Sequence, residues 1–438
     1  MRSTRTVSVA IVGVLAVLAF SACSSAGNGS NAATDGKVPK VDGNGKTLTV
    51  WVMDGDYTEK TLTAVNDEFA KRTGGKVDVQ VQSWDGISTK IATALATSTP
   101  PDVIDVGNTA IASYAATGGL VDLTAYKEDL AQGLTWLDGL ASPATIDDKL
   151  YGVPGFAGAR AVVYNKKIWA AAGVTEPPTT YAELTADLDK VKAANSSTPD
   201  FSAFYLPGQY WFAGIQFVWD AGGDIAKEEG GKWVSGLSTK DSVAGLNAFK
   251  DFQNTYSSAA SRTLDTAEPN QSQIFADGKA SAIMYNSTTS ILSANPALKA
   301  DLGTFPFPGI SGKAQPVMLG GSDWAVPAKS KKADLALNWV KIAASPDIQN
   351  KYVYGVDGWI PNSTQGIKAA QTSVDNVKAG FFEAALNSKA TPANPNWSTI
   401  SGNKTINNLF GTVASGSKSV KDAAATYDQK ANDVLNTK

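Results

Sequence analysis

The chain has 438 residues, of which 43% are hydrophobic and 18% are charged, and its net charge is −3 at pH 7. This length exceeds what one compact core usually holds and predicts two lobes of about 150–200 residues each. The weak negative charge, with no basic stretch, argues against nucleic acid as a partner. The sequence has no histidine and one cysteine, Cys23. Histidine-activated nucleophiles and intramolecular disulfides are therefore excluded, and we expect neither a metal nor a cofactor.

Residues 1–22 have the layout of a secretory signal peptide. Two arginines precede an apolar run from Val7 to Phe20, and small residues at 21 and 22 precede Cys23. The run is shorter than the roughly 20 residues that a membrane-spanning helix needs. The small pair before a lone cysteine resembles the lipobox of bacterial lipoproteins, which implies cleavage before Cys23 and a diacylglycerol on its thiol. The alternative is a plain secreted protein with an incidental cysteine.

Residues 23–45 are rich in Ser, Gly and Asn and contain few apolar side chains. Such a segment cannot bury enough surface to fold, so we predict a flexible tether.

From residue 46 the pattern changes to alternating strands and helices. The segment TLTVWVM, which begins at Thr47, is apolar throughout and is typical of a strand buried in a parallel sheet. A helix, an alternating strand from Val77 to Val81, a second helix over 87–95 and a third strand over 102–106 follow. This alternation predicts an α/β fold with mainly parallel sheets and right-handed crossovers.

The same alternation restarts near residue 151. The segments YGVP and ARAVVYN are strand-like, and Thr180 and Glu183 form a capping box before a helix. A helix from Gly245 to Tyr256, strands at SAIMYN and WAVP, and a helical tail after Asn407 complete the chain.

Several of these segments, in this order, resemble the family 1 solute-binding proteins of carbohydrate ABC importers, the maltose-binding-protein-like group. The segments are PPDVIDVGNTAIASYAATGGLVDLTAY, LYGVPGFAGARAVVYNKKIWAAAGVTEPPTTYAEL, FADGKASAIMYN and GGSDWAVPAKSKKADLALNWVKIAASPDIQNKY. The resemblance implies a type II, two-lobed periplasmic-binding-protein-like fold whose lobes are joined by several crossing strands. The implied lobes are residues 46–153 plus 318–361, and residues 154–317 plus 362–438.

Ligands of open α/β sheets bind beyond the carboxyl ends of the strands, so residues that follow strands are the site candidates. A sugar stacks its C–H faces on aromatic rings and bonds its hydroxyls to Asp, Asn and Arg side chains. The candidate ligand-binding residues are Asp54, Asp56, Trp84, Asn108, Phe156, Arg160, Tyr210, Trp211, Asn286, Ser322, Trp359 and Trp397.

Most of these residues also have a structural interpretation. The two aspartates, Asp54 and Asp56, could cap the first helix, and Trp84 could seal helix packing. A buried Arg160 needs either a carboxylate or ligand hydroxyls as partners. Trp397 lies in a polar stretch with little core reason for an aromatic, which favours a cleft-facing role.

The consecutive residues Tyr210, Trp211 and Phe212 cannot all face one direction on a helix. They fall where the resemblance implies stacking aromatics, so we expect Tyr210 and Trp211 to be platforms. Phe217 and Trp219 are expected in the core.

The resemblance implies an extracytoplasmic, lipid-anchored binding protein, not an enzyme, that captures a di- or oligosaccharide by hinge closure. Its partners would be membrane permease subunits with a cytoplasmic ATPase, and we expect a monomer. Three alternatives stay open: a polyamine or other small solute as ligand, a surface sensor, and an anchored glycosidase. The glycosidase would need two carboxylates about 5–10 Å apart, for which Asp54, Asp56, Asp85 and Asp323 are available.

Overall fold

The structure is a computed structural model that describes residues 35–437. The predicted signal peptide, the lipid-attachment residue Cys23 and the first part of the predicted tether lie outside the described residues, as does Lys438.

Strands alternate with helices through the described part of the chain. Its strands are β1 (Thr47–Met53), β2 (Lys76–Gln82), β3 (Val103–Gly107), β4 (Thr145–Ile146), β5 (Lys149–Leu150), β6 (Val153–Gly158), β7 (Ala161–Asn165), β8 (Ala226–Glu229), β9 (Lys232–Ser235), β10 (Ala282–Tyr285), β11 (Leu302–Phe305) and β12 (Gly320–Ala325).

The helices between the strands cover the sheets and form most of the C-terminal part. They are α1 (Glu59–Thr73), α2 (Ile87–Ala96), α3 (Ile111–Ala116), α4 (Lys127–Ala131), α5 (Asp138–Ala141), α6 (Lys166–Ala171), α7 (Tyr181–Ala194), α8 (Trp211–Asp220), α9 (Lys240–Tyr256), α10 (Gln271–Ala276), α11 (Thr289–Ala294), α12 (Ala333–Ala343), α13 (Pro346–Ile348), α14 (Thr364–Ala370), α15 (Asn376–Ala385), α16 (Trp397–Gly402), α17 (Thr405–Ser415) and α18 (Val420–Leu435). The predicted capping box is present at the start of α7, where Thr180 and Glu183 exchange hydrogen bonds.

The first sheet has five strands in the order β2-β1-β3-β12-β6. The first three strands pair in parallel, as the apolar runs and intervening helices predict. The returning strand β12 lies antiparallel between β3 and β6. The carboxyl ends of β1, β2, β3 and β6 therefore meet at one edge, together with the start of β12.

The second sheet has three strands in the order β10-β7-β11. The prediction of a mainly parallel sheet is wrong here, because β7 pairs antiparallel with both of its neighbours. The physical reason is the route of the chain. The helix α11 carries the crossover from β10 to β11, so these two strands run in the same direction, while β7 arrives between them from the first sheet and runs the opposite way.

The chain passes from the first sheet to the second within two residues, Ala159 and Arg160, which separate β6 from β7. Ala157 at the end of β6 also pairs with Ile360, so the returning segment meets the crossing strand at the same point. This short connection fixes Arg160 at the junction of the two sheets.

The segment that leads into β1 packs against the first sheet and its helices. Val38 is buried, and its N–H donates to Asp129 Oδ2 at 2.9 Å. The carbonyl of Pro39 accepts from Asn338 Nδ2 at 2.8 Å, and the N–H of Gly43 donates to the carbonyl of Thr73 at 2.7 Å. The predicted tether reached residue 45, whereas the structure holds these residues against the folded body because one apolar side chain and several backbone groups find partners there.

None of the helices in residues 35–437 has both the length and the apolar character needed to span a bilayer. The same residues contain no cluster of three or more acidic or cysteine side chains arranged to hold a metal ion.

One buried acid makes stability depend on pH. Asp323 on β12 is fully buried, both of its carboxyl oxygens lack a hydrogen-bond partner in the described part of the chain, and burial raises its pKa well above the ordinary 3.8. Above pH 3.8 the unfolded chain releases this proton while the folded chain keeps it, so the free energy of unfolding should fall as pH rises.

Asp323→Asn cannot ionise at this position. Its free energy of unfolding should therefore fall less than that of the wild type between pH 5 and pH 8 in urea denaturation. Asp433→Asn, on the surface, is the control, and equal slopes for Asp323→Asn and the wild type would contradict the argument.

Candidate functional site

The loop after β1 places Asp56 against two other elements of the candidate site. Asp56 Oδ2 accepts a hydrogen bond from Ser322 Oγ at 2.9 Å. The backbone carbonyl of Asp56 accepts from the indole Nε1 of Trp359 at 2.7 Å. This edge of the first sheet thus brings together three residues that are far apart in the sequence, where ligands of open α/β sheets bind.

The carboxyl groups of Asp56 and Asp105 lie close enough to affect each other's protonation. Burial raises the pKa of Asp56 to about 6, against the lowering effect of hydrogen bonds from Ser322, Asp105 and Trp84. Burial, followed by the charge of Asp56, raises the pKa of Asp105 well above its usual range. Burial therefore favours the protonated form of Asp105, so that two negative charges do not lie side by side.

Trp84 lies beside this pair, at the turn between β2 and α2. Its ring crosses Gly107 so closely that a side-chain carbon at position 107 would stand 3.6 Å from it. The side chain is 45% exposed, so it is not sealed inside a helix interface, the alternative that the sequence left open. Asp54 and Asp85, which are close to Asp56 and Trp84 in the sequence, are exposed.

A stack of aromatic rings supports Trp359. Phe156 on β6 is buried and stacks beneath Trp359, with ring centroids 4.7 Å apart and planes 28° apart. Tyr57 packs edge-on against Phe156 and stacks on Trp324. The sequence predicted that Phe156 contacts the ligand, but the structure buries its ring, and Trp359 is the partly exposed member of the stack.

Asp357 fastens the segment of Trp359 to the start of α1. Its Oδ1 accepts from Thr58 N at 3.2 Å, from Thr58 Oγ1 at 2.7 Å and from Thr61 Oγ1 at 2.8 Å. Thr58 is also the N-cap of α1, so neither Asp54 nor Asp56 caps that helix as the structural interpretation required. Sequence reasoning missed Asp357, because its partners are about 300 residues away.

Arg160 is held by aromatic side chains. Its Nε donates to Tyr210 Oη at 2.9 Å, and its guanidinium carbon lies 4.3 Å from the centre of the Phe212 ring. Within residues 35–437 no carboxylate forms an ion pair with it, and its terminal nitrogens make no hydrogen bond. The structural ion pair that the sequence left open is therefore absent from this part of the chain.

Trp211 and Trp397 lie in the hydrophobic core, contrary to their prediction as cleft-facing rings. They are 3% and 1% exposed, and their rings meet edge to face at 5.8 Å. The reason is that each begins a short helix, α8 or α16, whose first turn inserts between the other helices. Phe212, one residue further along α8, takes the partly exposed position. Tyr210 is also buried, but its hydroxyl reaches Arg160.

Asn108 has an internal role. It is buried, and its side-chain amide donates to the carbonyls of Gly139 and Leu319 at 3.1 and 3.2 Å. These bonds hold the loop after β3 in place.

Asn286 is exposed and follows β10 of the second sheet. It lines a cavity of about 190 Å³ together with Gly158, Trp359 and Lys378. This cavity joins residues that follow strands of both sheets. Lys378 was another residue that sequence reasoning did not single out, because nothing in its helix distinguishes it from other surface lysines.

Comparison with known proteins gives one family and a consistent fold. A match to the family described as "Bacterial extracellular solute-binding protein" spans residues 55–350. The diacetylchitobiose binding protein DasA of Streptomyces coelicolor is 37% identical over 92% of this chain and 93% of its own length. The maltodextrin-binding protein MdxE of Bacillus subtilis is 24% identical over 90% of this chain and 92% of its own.

Two solved structures illustrate the fold. The sugar-binding protein MalE of Xanthomonas citri has a TM-score of 0.76 at 21% identity, over 89% of this chain and 97% of its own. MalE of Listeria monocytogenes in complex with maltose has a TM-score of 0.75 at 23% identity, over 88% of this chain and 97% of its own. The fold is the type II, two-lobed periplasmic-binding-protein fold. The chain belongs to the bacterial extracellular solute-binding protein family.

Proposed function

We propose that this protein is the lipid-anchored substrate-binding subunit of an ABC importer, and that it captures oligosaccharides of N-acetylglucosamine such as diacetylchitobiose. The observation that carries the proposal is the 37% identity, over almost the whole of both chains, with a diacetylchitobiose binding protein. Membership of an extracellular family locates the protein outside the cytoplasm.

The chemistry of the candidate site supports a sugar as ligand. Trp84 is 45% exposed and Trp359 is partly exposed, and their rings offer flat apolar surface for the C–H faces of pyranose units. The guanidinium of Arg160 has unused donors, and the carboxylates of Asp54 and Asp56 are acceptors for hydroxyls. Arg160 is pre-organised by Tyr210 and Phe212, so little side-chain entropy is lost when it bonds a ligand.

Capture in this proposal works by a shift of conformational population. A sugar that contacts Trp84 and Asp56 on the first sheet and Arg160 or Asn286 on the second is bound best when the two faces approach. Binding then favours the closed state by the difference in affinity between the two states. The closed form is the one that the membrane permeases receive.

The surroundings of Asp56 and Asp105 support a binding role without catalysis. Asp56 has the raised pKa that an acid catalyst would need. Its neighbour Asp105 is fully buried. A glycosidase needs its second carboxylate about 5–10 Å away across the scissile bond.

We expect prolonged incubation with diacetylchitobiose to release no monosaccharide in product analysis. Release of more than one equivalent of monosaccharide per protein would contradict the binding role.

The ligand class can be tested by thermal unfolding of the purified protein with diacetylchitobiose, maltose and spermidine. A ligand that binds only the folded state stabilises it by RT ln(1 + [L]/Kd), about 2.7 kcal/mol at a hundredfold excess over Kd. Diacetylchitobiose should raise the unfolding midpoint, and the other two should not. If only maltose or only spermidine raised the unfolding midpoint, the proposed ligand would be wrong.

The site can be tested with Arg160→Ala and Trp84→Ala. Each should weaken diacetylchitobiose binding at least about tenfold in calorimetry, because a charged hydrogen bond contributes roughly 1.5–3 kcal/mol and a stacked ring a similar amount. Arg72→Ala is the matched control, since that arginine is exposed and forms an ion pair with Glu68 on its own helix. Wild-type affinity in both site variants, with normal unfolding midpoints, would remove these residues from the site.

The anchor can be tested with Cys23→Ser in cells. Signal cleavage and lipidation both require the cysteine in the lipoprotein route, so the variant should carry no lipid and should keep its signal peptide. The intact masses of the wild type and the variant, extracted from cells, measure both effects. A wild-type mass without the diacylglycerol, or a Cys23→Ser protein that is cleaved like the wild type, would contradict the lipid anchor.

A further inference from the structure

The cavity beside Trp359, of about 190 Å³, brings together residues from both sheets. Its walls come from the end of β6, the loop after β10, the segment of Trp359 and the helix α15. It is smaller than the roughly 300–1,000 Å³ of sites that enclose a whole small molecule. Because the indole of Trp359 is partly exposed, the cavity suits one substituent of a sugar whose ring lies on that indole.

Gly158, the last residue of β6, keeps this cavity open. Apart from its chain neighbours, a Cβ at this position would meet no atom closer than 4.0 Å, and that atom is Cζ3 of Trp359. The φ angle of Gly158 also lies outside the left-handed region that favours glycine. Neither packing nor backbone conformation therefore requires a glycine here, and its effect is to leave space beside the indole.

One part of the cavity lining is polar. The side chains of Asn286 and Lys378 are exposed, and neither forms a hydrogen bond or an ion pair with other groups of residues 35–437. The ammonium of Lys378 lies beside the backbone of Gly358, where an added Cβ would stand 3.0 Å from Nζ. Asp357, the acidic residue of the lining, is fastened to α1 through Oδ1. The lining therefore offers an ammonium and an amide whose hydrogen bonds are available to a ligand.

Another part of the lining is apolar and buried. It consists of Ala157, Ala159, Ile360 and Phe381, each at most 5% exposed. An acetamido group carries a carbonyl acceptor, an N–H donor and a methyl group. The carbonyl can accept a hydrogen bond from an ammonium or an amide, the N–H can donate to an amide oxygen, and the methyl group can cover the apolar side chains. A hydroxyl in the same place would leave most of that apolar surface uncovered.

We infer that this cavity receives the acetamido group of an N-acetylglucosamine unit, and that Lys378 and Gly158 make the protein prefer N-acetylated sugars to their plain counterparts. Lys378 donates to the carbonyl oxygen, and Gly158 leaves the space that the acetyl group fills. The inference rests on the proposed function, since it assigns one group of the same ligand. Trp359 and Asn286 connect the cavity to the candidate site, because both residues line it.

The test compares the affinities for diacetylchitobiose and for cellobiose, which has the same linkage but a hydroxyl in place of each acetamido group. Calorimetry measures the first, and displacement titration measures the second. The wild type should prefer diacetylchitobiose about a hundredfold. Lys378→Met keeps a long side chain and removes the charged donor, so the preference should fall to about tenfold, a loss equivalent to ~1.4 kcal/mol. Gly158→Val adds a side chain beside Trp359 and should lower the preference by a similar factor.

Lys299→Met is the matched control for the loss of one positive charge. Lys299 is also exposed, and within residues 35–437 it forms no ion pair. It lines the neighbouring cavity, which shares Lys378 with this one, but it does not line the cavity beside Trp359. The Lys299→Met protein should keep the full preference of the wild type.

The outcomes separate this inference from the proposed function. If the wild type prefers diacetylchitobiose but Lys378→Met and Gly158→Val keep the full preference, the acetamido group lies elsewhere and the proposed function stands. If Lys299→Met loses as much preference as Lys378→Met, the effect is one of overall charge and the inference is wrong. If diacetylchitobiose does not bind the wild type, the proposed function fails and the inference fails with it. Unfolding midpoints of the variants, measured alongside, establish that they are folded.

Discussion

The direct connection between β6 and β7 is the constraint on which the site depends. Two residues, Ala159 and Arg160, separate a strand of the first sheet from the central strand of the second. A link this short leaves the backbone little freedom, so the sheet edges stay in register with each other at this point. The second sheet becomes antiparallel for the same reason, since its central strand enters from the other sheet. Arg160 lies at the crossing, and its side chain can reach only the groups next to it.

The site around that crossing is built mostly by side chains that orient one another. Asp357 holds the segment of Trp359 to the start of α1, and Phe156 stacks beneath the indole. Tyr210 and Phe212 orient Arg160 in the same way. Side chains whose rotamers are fixed by packing and hydrogen bonds lose little entropy on binding, which is how a shallow polar surface can bind a flexible sugar with useful affinity.

The buried acids show what this arrangement costs. Asp56 and Asp105 are kept together at the edge of the first sheet, with burial raising the pKa of each. A protonated Asp105 avoids two adjacent negative charges. Asp323 has no such partner in residues 35–437 and is held neutral by burial alone. Burial thus favours the neutral form of both Asp105 and Asp323.

Local sequence was sufficient to predict several of the elements. The apolar run at β1, the alternating strand β2 and the capping box of α7 all depend on contacts within a few residues, so their patterns predicted them. Ordered motifs over most of the chain also predicted the family. A charged residue in the middle of the buried strand β3, Asp105, was a signal of the carboxyl pair that could have been recognised from the sequence.

The sequence by itself predicted many of the strands and helices, the α/β class and the family, because these follow from short-range periodicity and motif order. Only the tertiary structure decided which aromatic rings face outward. Trp211 and Trp397 are buried while Phe212 and Trp84 keep exposed surface, although all four lie at the ends of strands or the starts of helices. The choice depends on which distant helix packs against each ring, and that partner is set by the path of the whole chain.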